Sequence, residues 1–227
     1  MAPISGHNVL VIGGSSGMGF SVAKLVLAEK ANVTIASSSK ERVDAAVARL
    51  KADSPSNQVA GTKASLLDHI VYTAGKGQSP ALAETDLAVS SSIARLPLIV
   101  PIFIGKIAPR FLKSSYTSSI TFTGGAIAEK PVPGYGLLSA FIAGVHSLGK
   151  SLAIDLAPLR VNVVSPGATD TELWGAYTEF LRDMSSKNSL LGKPGKPEDV
   201  AEAFVYLMKN VDATGSIVSS NGGAPLK

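Results

Sequence analysis

Residues 8–19 read NVLVIGGSSGMG. Asn8 to Ile12 is a short run of strand-forming residues that stops at glycine. From Phe20 to Lys30 the apolar residues Val22, Ala23, Val26 and Leu27 recur at helical spacing. The glycines between them therefore sit in a strand-to-helix turn. Glycine lets the backbone turn sharply and approach a diphosphate, whose charge the N–H groups of the helix start can hold. A strand before and a helix after are the context that separates this reading from a chance glycine cluster. Gly13, Ser15, Ser16, Gly17, Met18 and Gly19 are the candidate cradle. The same letters also spell G-x-S-x-G, with Ser15 as a hydrolytic nucleophile. That alternative needs an acid and a later histidine. Only His69 and His146 follow, and His146 falls inside a helix pattern.

Further along, Asn32 to Ala36 is strand-like and Glu41 to Lys51 carries Val43, Ala46, Val47 and Leu50 on one helical face. Ile70 and Val71, Ile120 to Thr123, Val161 to Val164 and Ser216 to Val218 read as further strands. Leu137 to Leu156 and Glu198 to Lys209 read as helices. Continuously apolar strands alternating with helices predict an α/β, Rossmann-type doubly wound parallel sheet with helices on both faces, as a single domain over residues 1–227. Its ligand should lie at the carboxyl ends of the strands, which carry Gly13, Ser37, Gly75, Gly124 and Pro166-Gly167. Between Val59 and Ile70 there is room for a strand and a turn but not for a crossover helix.

The 227 residues are 45% hydrophobic and 17% charged, which excludes a disordered chain and suits one sizeable core. With no cysteine, a disulfide framework, a Cys-ligated zinc site and a thiolate nucleophile are excluded; no metal is assigned. Lys plus Arg exceed Asp plus Glu by 21 to 17 without forming a run. That argues against nucleic-acid binding and is compatible with a phosphate-bearing small ligand. The longest apolar run, Leu96 to Ile104, is interrupted by two prolines and falls well short of the ~20 residues of a membrane span. No basic residue precedes Lys24, against a signal peptide. The expectation is a soluble, cytoplasmic chain without a membrane partner.

After the second strand the chain reads Ser37-Ser38-Ser39-Lys40, where an NAD site places an acid for the ribose 2′-hydroxyl. Three hydroxyls and a lysine suit a 2′-phosphate instead, because they donate to it without repulsion. An ordinary serine-rich loop is the competing reading. The cofactor expected is NADPH/NADP+.

Together these residues resemble the short-chain dehydrogenase/reductase family along nearly the whole chain. Gly13 to Gly19 looks like its T-G-x-x-x-G-x-G loop, and Tyr72-Thr73-Ala74-Gly75 like its N-N-A-G. Val161 to Thr171 is similar to R-V-N-x-V-x-P-G-x-x-x-T. Gly195 to Ala201 and Thr214 to Gly223 resemble its C-terminal signatures. The resemblance implies that Ala74 and Gly75 lie along the adenine side of the cofactor. It implies likewise that Pro166, Gly167, Thr169 and Thr171 contact the nicotinamide end, and that the chain forms a homodimer or homotetramer using the Leu137 to Leu156 helix.

The family's active site is Y-x-x-x-K, in which the tyrosine protonates a carbonyl oxygen. Here Leu138 falls at the tyrosine, Ile142 at the lysine and Gly125 at the orienting serine. The cofactor half is kept and the acid–base half is gone. An iminium or similarly electrophilic substrate accepts hydride without that acid. The glycine pair, the following basic loop to Lys130 and the apolar replacements are similar to degenerate family members of fungal alkaloid pathways, NADPH-dependent reductases that also guide an intramolecular Diels–Alder cyclisation. Asp170, after Pro166-Gly167, is the candidate to shuttle a proton or stabilise a cation, with helix capping as its alternative. Lys130 is the second candidate, with a solvated loop lysine as its alternative. Trp174, Tyr177 and Phe180 lie where the family has a mobile lid and suit a flat, apolar, polycyclic substrate. A non-catalytic NADPH sensor or scaffold is the rival reading.

Overall fold

The computed structural model describes residues 1–53, 66–75, 77 and 79–227. Among these residues, six strands form one sheet: β1 (Asn8–Ile12), β2 (Asn32–Ala36), β3 (His69–Tyr72), β4 (Ser119–Thr123), β5 (Arg160–Pro166) and β6 (Ile217–Ser220). Their order is β2-β1-β3-β4-β5-β6, and every neighbouring pair is parallel, Val11 facing Ile35 on one side and Val71 on the other. β3 and β5 are buried along their whole length. Their apolar residues follow one another because both faces of the sheet are covered.

The helices are α1 (Gly17–Ala28), α2 (Lys40–Asp53), α3 (Leu87–Ala94), α4 (Val100–Ile107), α5 (Gly136–Asp155), α6 (Thr178–Asn188) and α7 (Pro197–Lys209). Val22, Val26 and Leu27 of α1 meet Phe204 and Leu207 of α7 and Leu50 of α2 in one core layer. Val145 of α5, with Ile104 and Ala108 at the end of α4, fills the opposite layer against Ile120, Phe122 and Val163. The α/β architecture and all the expected strands and helices are present, with ends shifted by at most three residues. The short stretch 59–70 falls mostly outside the described residues.

One expectation is corrected. Leu96 to Ile104 is not an interrupted short run but the middle of a continuous helical segment, Leu87–Arg110, of 24 residues. By length and composition alone, this segment and α5 are each long and apolar enough to cross a membrane. In the fold α5 packs on β4, β5 and the Leu87–Arg110 segment, as one layer of the sandwich. The prolines bend the hydrogen-bond pattern without ending the helix. Residues 95–99 form a π turn, in which the Val100 N–H reaches back to the Arg95 carbonyl. The next such donor, to the Leu96 carbonyl, would be residue 101, a proline with no N–H. The Tyr72 hydroxyl donates to that carbonyl instead, at 2.8 Å.

Candidate functional site

β1 lies between β2, which follows it in the chain, and β3, so the strand order reverses at β1. The crevice at their carboxyl ends is therefore the topological switch point, where ligands bind in such sheets. The loop after β1 is anchored on both sides. The Gly13 N–H donates to the Ala36 carbonyl at 2.8 Å, and both the N–H and the hydroxyl of Thr73 donate to the Ile12 carbonyl. A β-carbon on Gly19 would collide with the Gly13 carbonyl oxygen and Thr73 Oγ1, so only glycine lets α1 start this close to the strand. Gly17 has φ +51°, in the left-handed region. Ser16 caps α1 in an extended conformation without a side-chain bond, and the first turn contains no acid. The helix start thus keeps anion-binding capacity. Among the described residues, a β-carbon on Gly75, in the loop after β3, would meet nothing within 4 Å. A helix start at the switch-point crevice, with no cap or acid from its own turn, fits a dinucleotide's diphosphate.

At the end of β2, Ser15 Oγ donates to Ser37 Oγ at 2.9 Å. The Ser38 hydroxyl receives a bond from Arg42 Nη2 at 2.7 Å. Lys40 turns away to Asp44 at 2.6 Å, as an exposed i,i+4 pair in α2. Ser39 donates to Glu41, which holds that carboxyl below its usual range. The cation at this hydroxyl cluster is therefore Arg42, which sequence reading missed. The available signal was its position four residues after Ser38, one helical turn on. The Ser15 hydrolase alternative finds no support here. His69 lies at the amino end of β3, bonded to His7 and Ser119, and His146 lies against Gly124 and Gly125.

The structure brings Gly125 and Ile142 together, with Leu138 four residues earlier on α5. A β-carbon on Gly125 would lie 3.6 Å from Ile142 Cγ2 and 3.9 Å from the Pro166 carbonyl oxygen. Leu138 is buried one turn before Ile142. The nearest atoms to a β-carbon at Gly125 are thus hydrocarbon and a backbone carbonyl. His146 fills the space left by Gly124, and its Nε2 accepts a bond from the Gly125 N–H at 3.4 Å. Burial pushes its pKa down, against the pull of nearby Glu129, so the ring is a neutral acceptor. Glu129 in turn accepts from Ser165 Oγ at 3.3 Å.

Lys130 and Asp170 are not brought together. Lys130 is exposed, just ahead of the residues lining a cavity of about 410 Å³ formed by Pro80, Leu82, Pro131, Val132 and Leu137. Asp170 lines a different cleft, with Gly17, Phe20 and Arg49, and accepts a bond from Arg182 Nε at 2.5 Å. It does not cap the following turn: Thr171 holds that position, with no side-chain capping bond. Thr169 is buried and donates to the Gly167 carbonyl at 3.0 Å. Tyr177 and Phe180 are exposed rather than packed in the core.

A family model described as an SDR-like Rossmann domain matches residues 2–66 and 59–227. Its two pieces meet at 59–66, within the stretch that reads as short. The chain is 40% identical to the short-chain dehydrogenase/reductase ATR9 of Stachybotrys chlorohalonatus, over all of both chains. That alignment is 253 positions long against 227 residues here, which leaves 26 positions without a counterpart. The solved structure of the MalC reductase/Diels–Alderase of Malbranchea aurantiaca superposes with a TM-score of 0.91 at 33% identity, covering 99% of this chain and 98% of that one. A short-chain dehydrogenase of Burkholderia cenocepacia, solved in complex with NADP, superposes with a TM-score of 0.85 at 27% identity over 98% and 99%. From the switch-point crevice, the glycine turn into α1 and these matches, the chain belongs to the short-chain dehydrogenase/reductase family.

Proposed function

We propose that the chain is an NADPH-dependent reductase of specialised metabolism. It delivers hydride to an imine-type carbon that is already protonated or otherwise iminium-like, in an apolar pocket that also shapes a following intramolecular cyclisation. The observation that carries this reading is the convergence of Gly125, Ile142 and the Pro166 carbonyl, with Leu138 buried beside them, next to a cradle that fits a dinucleotide. When bound, NADPH supplies a hydride and leaves as NADP+. An iminium carbon takes those two electrons and one hydrogen and becomes an amine without a proton. A ketone oxygen needs a proton in the same step, and neither leucine nor isoleucine has one to give.

In this reading Gly13, Ser15, Ser16, Gly17, Met18 and Gly19 hold the diphosphate. Ser37, Ser38 and Ser39 hold the 2′-phosphate, with Arg42 in the place expected of Lys40, which is paired with Asp44. Ala74 and Gly75 lie along the adenine, and Pro166, Gly167, Thr169 and Thr171 meet the nicotinamide end. Asp170 stabilises a cationic substrate when it exchanges Arg182 for it. Lys130 orients the substrate at the mouth of the apolar cavity. The fungal relatives support the metabolic setting, and the likeness to MalC supports the cyclisation. Exposed Ile102, Phe103 and Ile107 on the Leu87–Arg110 segment support assembly with a second copy, as a homodimer or homotetramer.

The test is NADPH oxidation with a panel of cyclic iminium ions set against the matching ketones. Turnover of the iminium ions and not the ketones is expected, and Asp170→Asn should lower it about tenfold. Full turnover by Asp170→Asn would remove Asp170 from the mechanism. The missing acid equally favours a non-catalytic NADPH sensor, and tight binding with no turnover of any imine would select that reading.

A further inference from the structure

The first N–H of α1 is not free for a ligand. Gly17 N donates to Glu172 Oε2 at 3.0 Å, across 155 positions of sequence. α1 itself offers neither an acid in its first turn nor a side-chain cap, so the anion at its start is brought in from elsewhere. Glu172 opens the short 3₁₀ segment Glu172–Tyr177, directly after Pro166-Gly167 and Thr171. Its neighbours cross the same crevice. A β-carbon on Gly17 would lie 3.2 Å from Thr171 Cγ2, and one on Gly77 would lie 3.6 Å from Leu173 Cδ2. Residues 171–173 thus form a strap from the helix start to the loop beyond β3.

Three features make the strap a movable part. Glu172 is exposed, so its bond competes with water and is readily exchanged. Gly175 interrupts the 3₁₀ segment with φ +50° and ψ −126°, a backbone conformation that glycine allows. Leu173 and Tyr177 remain 60% and 71% exposed, so little apolar burial holds the segment down.

We propose that Glu172 is a latch: its carboxylate takes the place of a diphosphate oxygen at the Gly17 N–H, and an incoming dinucleotide must displace it, releasing residues 171–177. The inference rests on the cofactor reading given above. It makes Glu172 a positioning residue that couples cofactor occupancy to the lid, and by reciprocity the latched state weakens cofactor binding by the fraction of chains that are unlatched.

Trp174, the only tryptophan and two residues from Glu172, reports on the segment directly. Wild type, Glu172→Gln and Glu172→Asp would be compared without nucleotide by Trp174 emission, and titrated with NADPH by calorimetry. The aspartate variant keeps the charge but shortens its reach, and thermal melts verify that each variant folds. We expect both variants to bind NADPH about three- to tenfold tighter. Without nucleotide, their Trp174 emission should already match that of wild type saturated with NADP+, which does not absorb tryptophan emission. Unchanged or weaker NADPH binding by folded variants would overturn the latch while leaving the cofactor reading in place. A wild type that binds no NADPH would overturn the cofactor reading, and the gate with it.

Discussion

At the scale of single residues, cofactor choice turns on which cation faces the hydroxyls after β2. Lys40 is adjacent to them in sequence, but the first turn of α2 points it at Asp44, while Arg42 returns one turn later to Ser38. A guanidinium offers a planar fork of donors that matches a phosphate better than an ammonium does. Arg42→Ala should therefore weaken NADPH binding about tenfold, or roughly 1.4 kcal/mol, and leave NADH unchanged. Lys40→Ala should change either by less than about twofold. Paired calorimetric titrations of the two nucleotides check both. The chemical class of this loop was legible in Ser37 to Lys40. Which cation serves it was not, because that depends on where the helix begins and on an acid four residues away. Asp170 shows the same limit, since nothing near it in sequence names Arg182 as its partner.

At the scale of elements, strands and glycine turns were readable because each carries its own local signal. The Leu87–Arg110 segment was not. Pro97 and Pro101 are helix breakers by local rule, yet the helix survives because a tertiary partner repairs the damage. Tyr72 is 2% exposed, and burial pushes its phenol up to about 12, so it remains a donor throughout the accessible pH range. Tyr72→Phe would leave the Leu96 carbonyl without its partner. It should cost about 1–3 kcal/mol and lower the melting temperature by several degrees. Tyr116→Phe, at a 62% exposed position, should cost less than about 0.5 kcal/mol. Equal melting temperatures for the two variants would show that the π turn needs no donor from β3.

Across the whole molecule, the two ends of the sheet divide the work. The carboxyl ends carry the glycines and the crevice, whereas the amino ends carry a packed polar cluster. There His69 Nε2 shares a hydrogen bond with His7 Nδ1 at 3.0 Å, and its Nδ1 meets Ser119 Oγ at 2.8 Å. Asp68 is buried beside them and paired with Lys113 at 2.7 Å. Burial raises the Asp68 carboxyl, but the Lys113 ammonium and the Asn8 N–H outweigh it and hold the group below its usual range. Burial pushes His69 down to about 3 from 6.5, and the neighbouring His7, Arg160 and Lys113 charges push the same way against Asp68. The folded chain therefore keeps His69 neutral at pH values where the unfolded chain protonates it. The stability that this provides is fully present above pH 6.5 and is lost as the pH falls from 6.5 towards 3, at up to about 1.4 kcal/mol per pH unit. Asp68 adds a loss in the same direction only below 3.8. Urea unfolding at steps between pH 7.5 and 4.5 should show that slope in the wild type. His69→Gln, which cannot take the proton, should flatten it by about one proton's worth, whatever its stability at neutral pH. Because the cluster lies at the opposite end of the sheet from the crevice, NADPH affinity should stay nearly constant in that variant while it remains folded. A parallel loss of cofactor affinity and acid stability would instead mean that the amino-end cluster and the crevice respond as one unit.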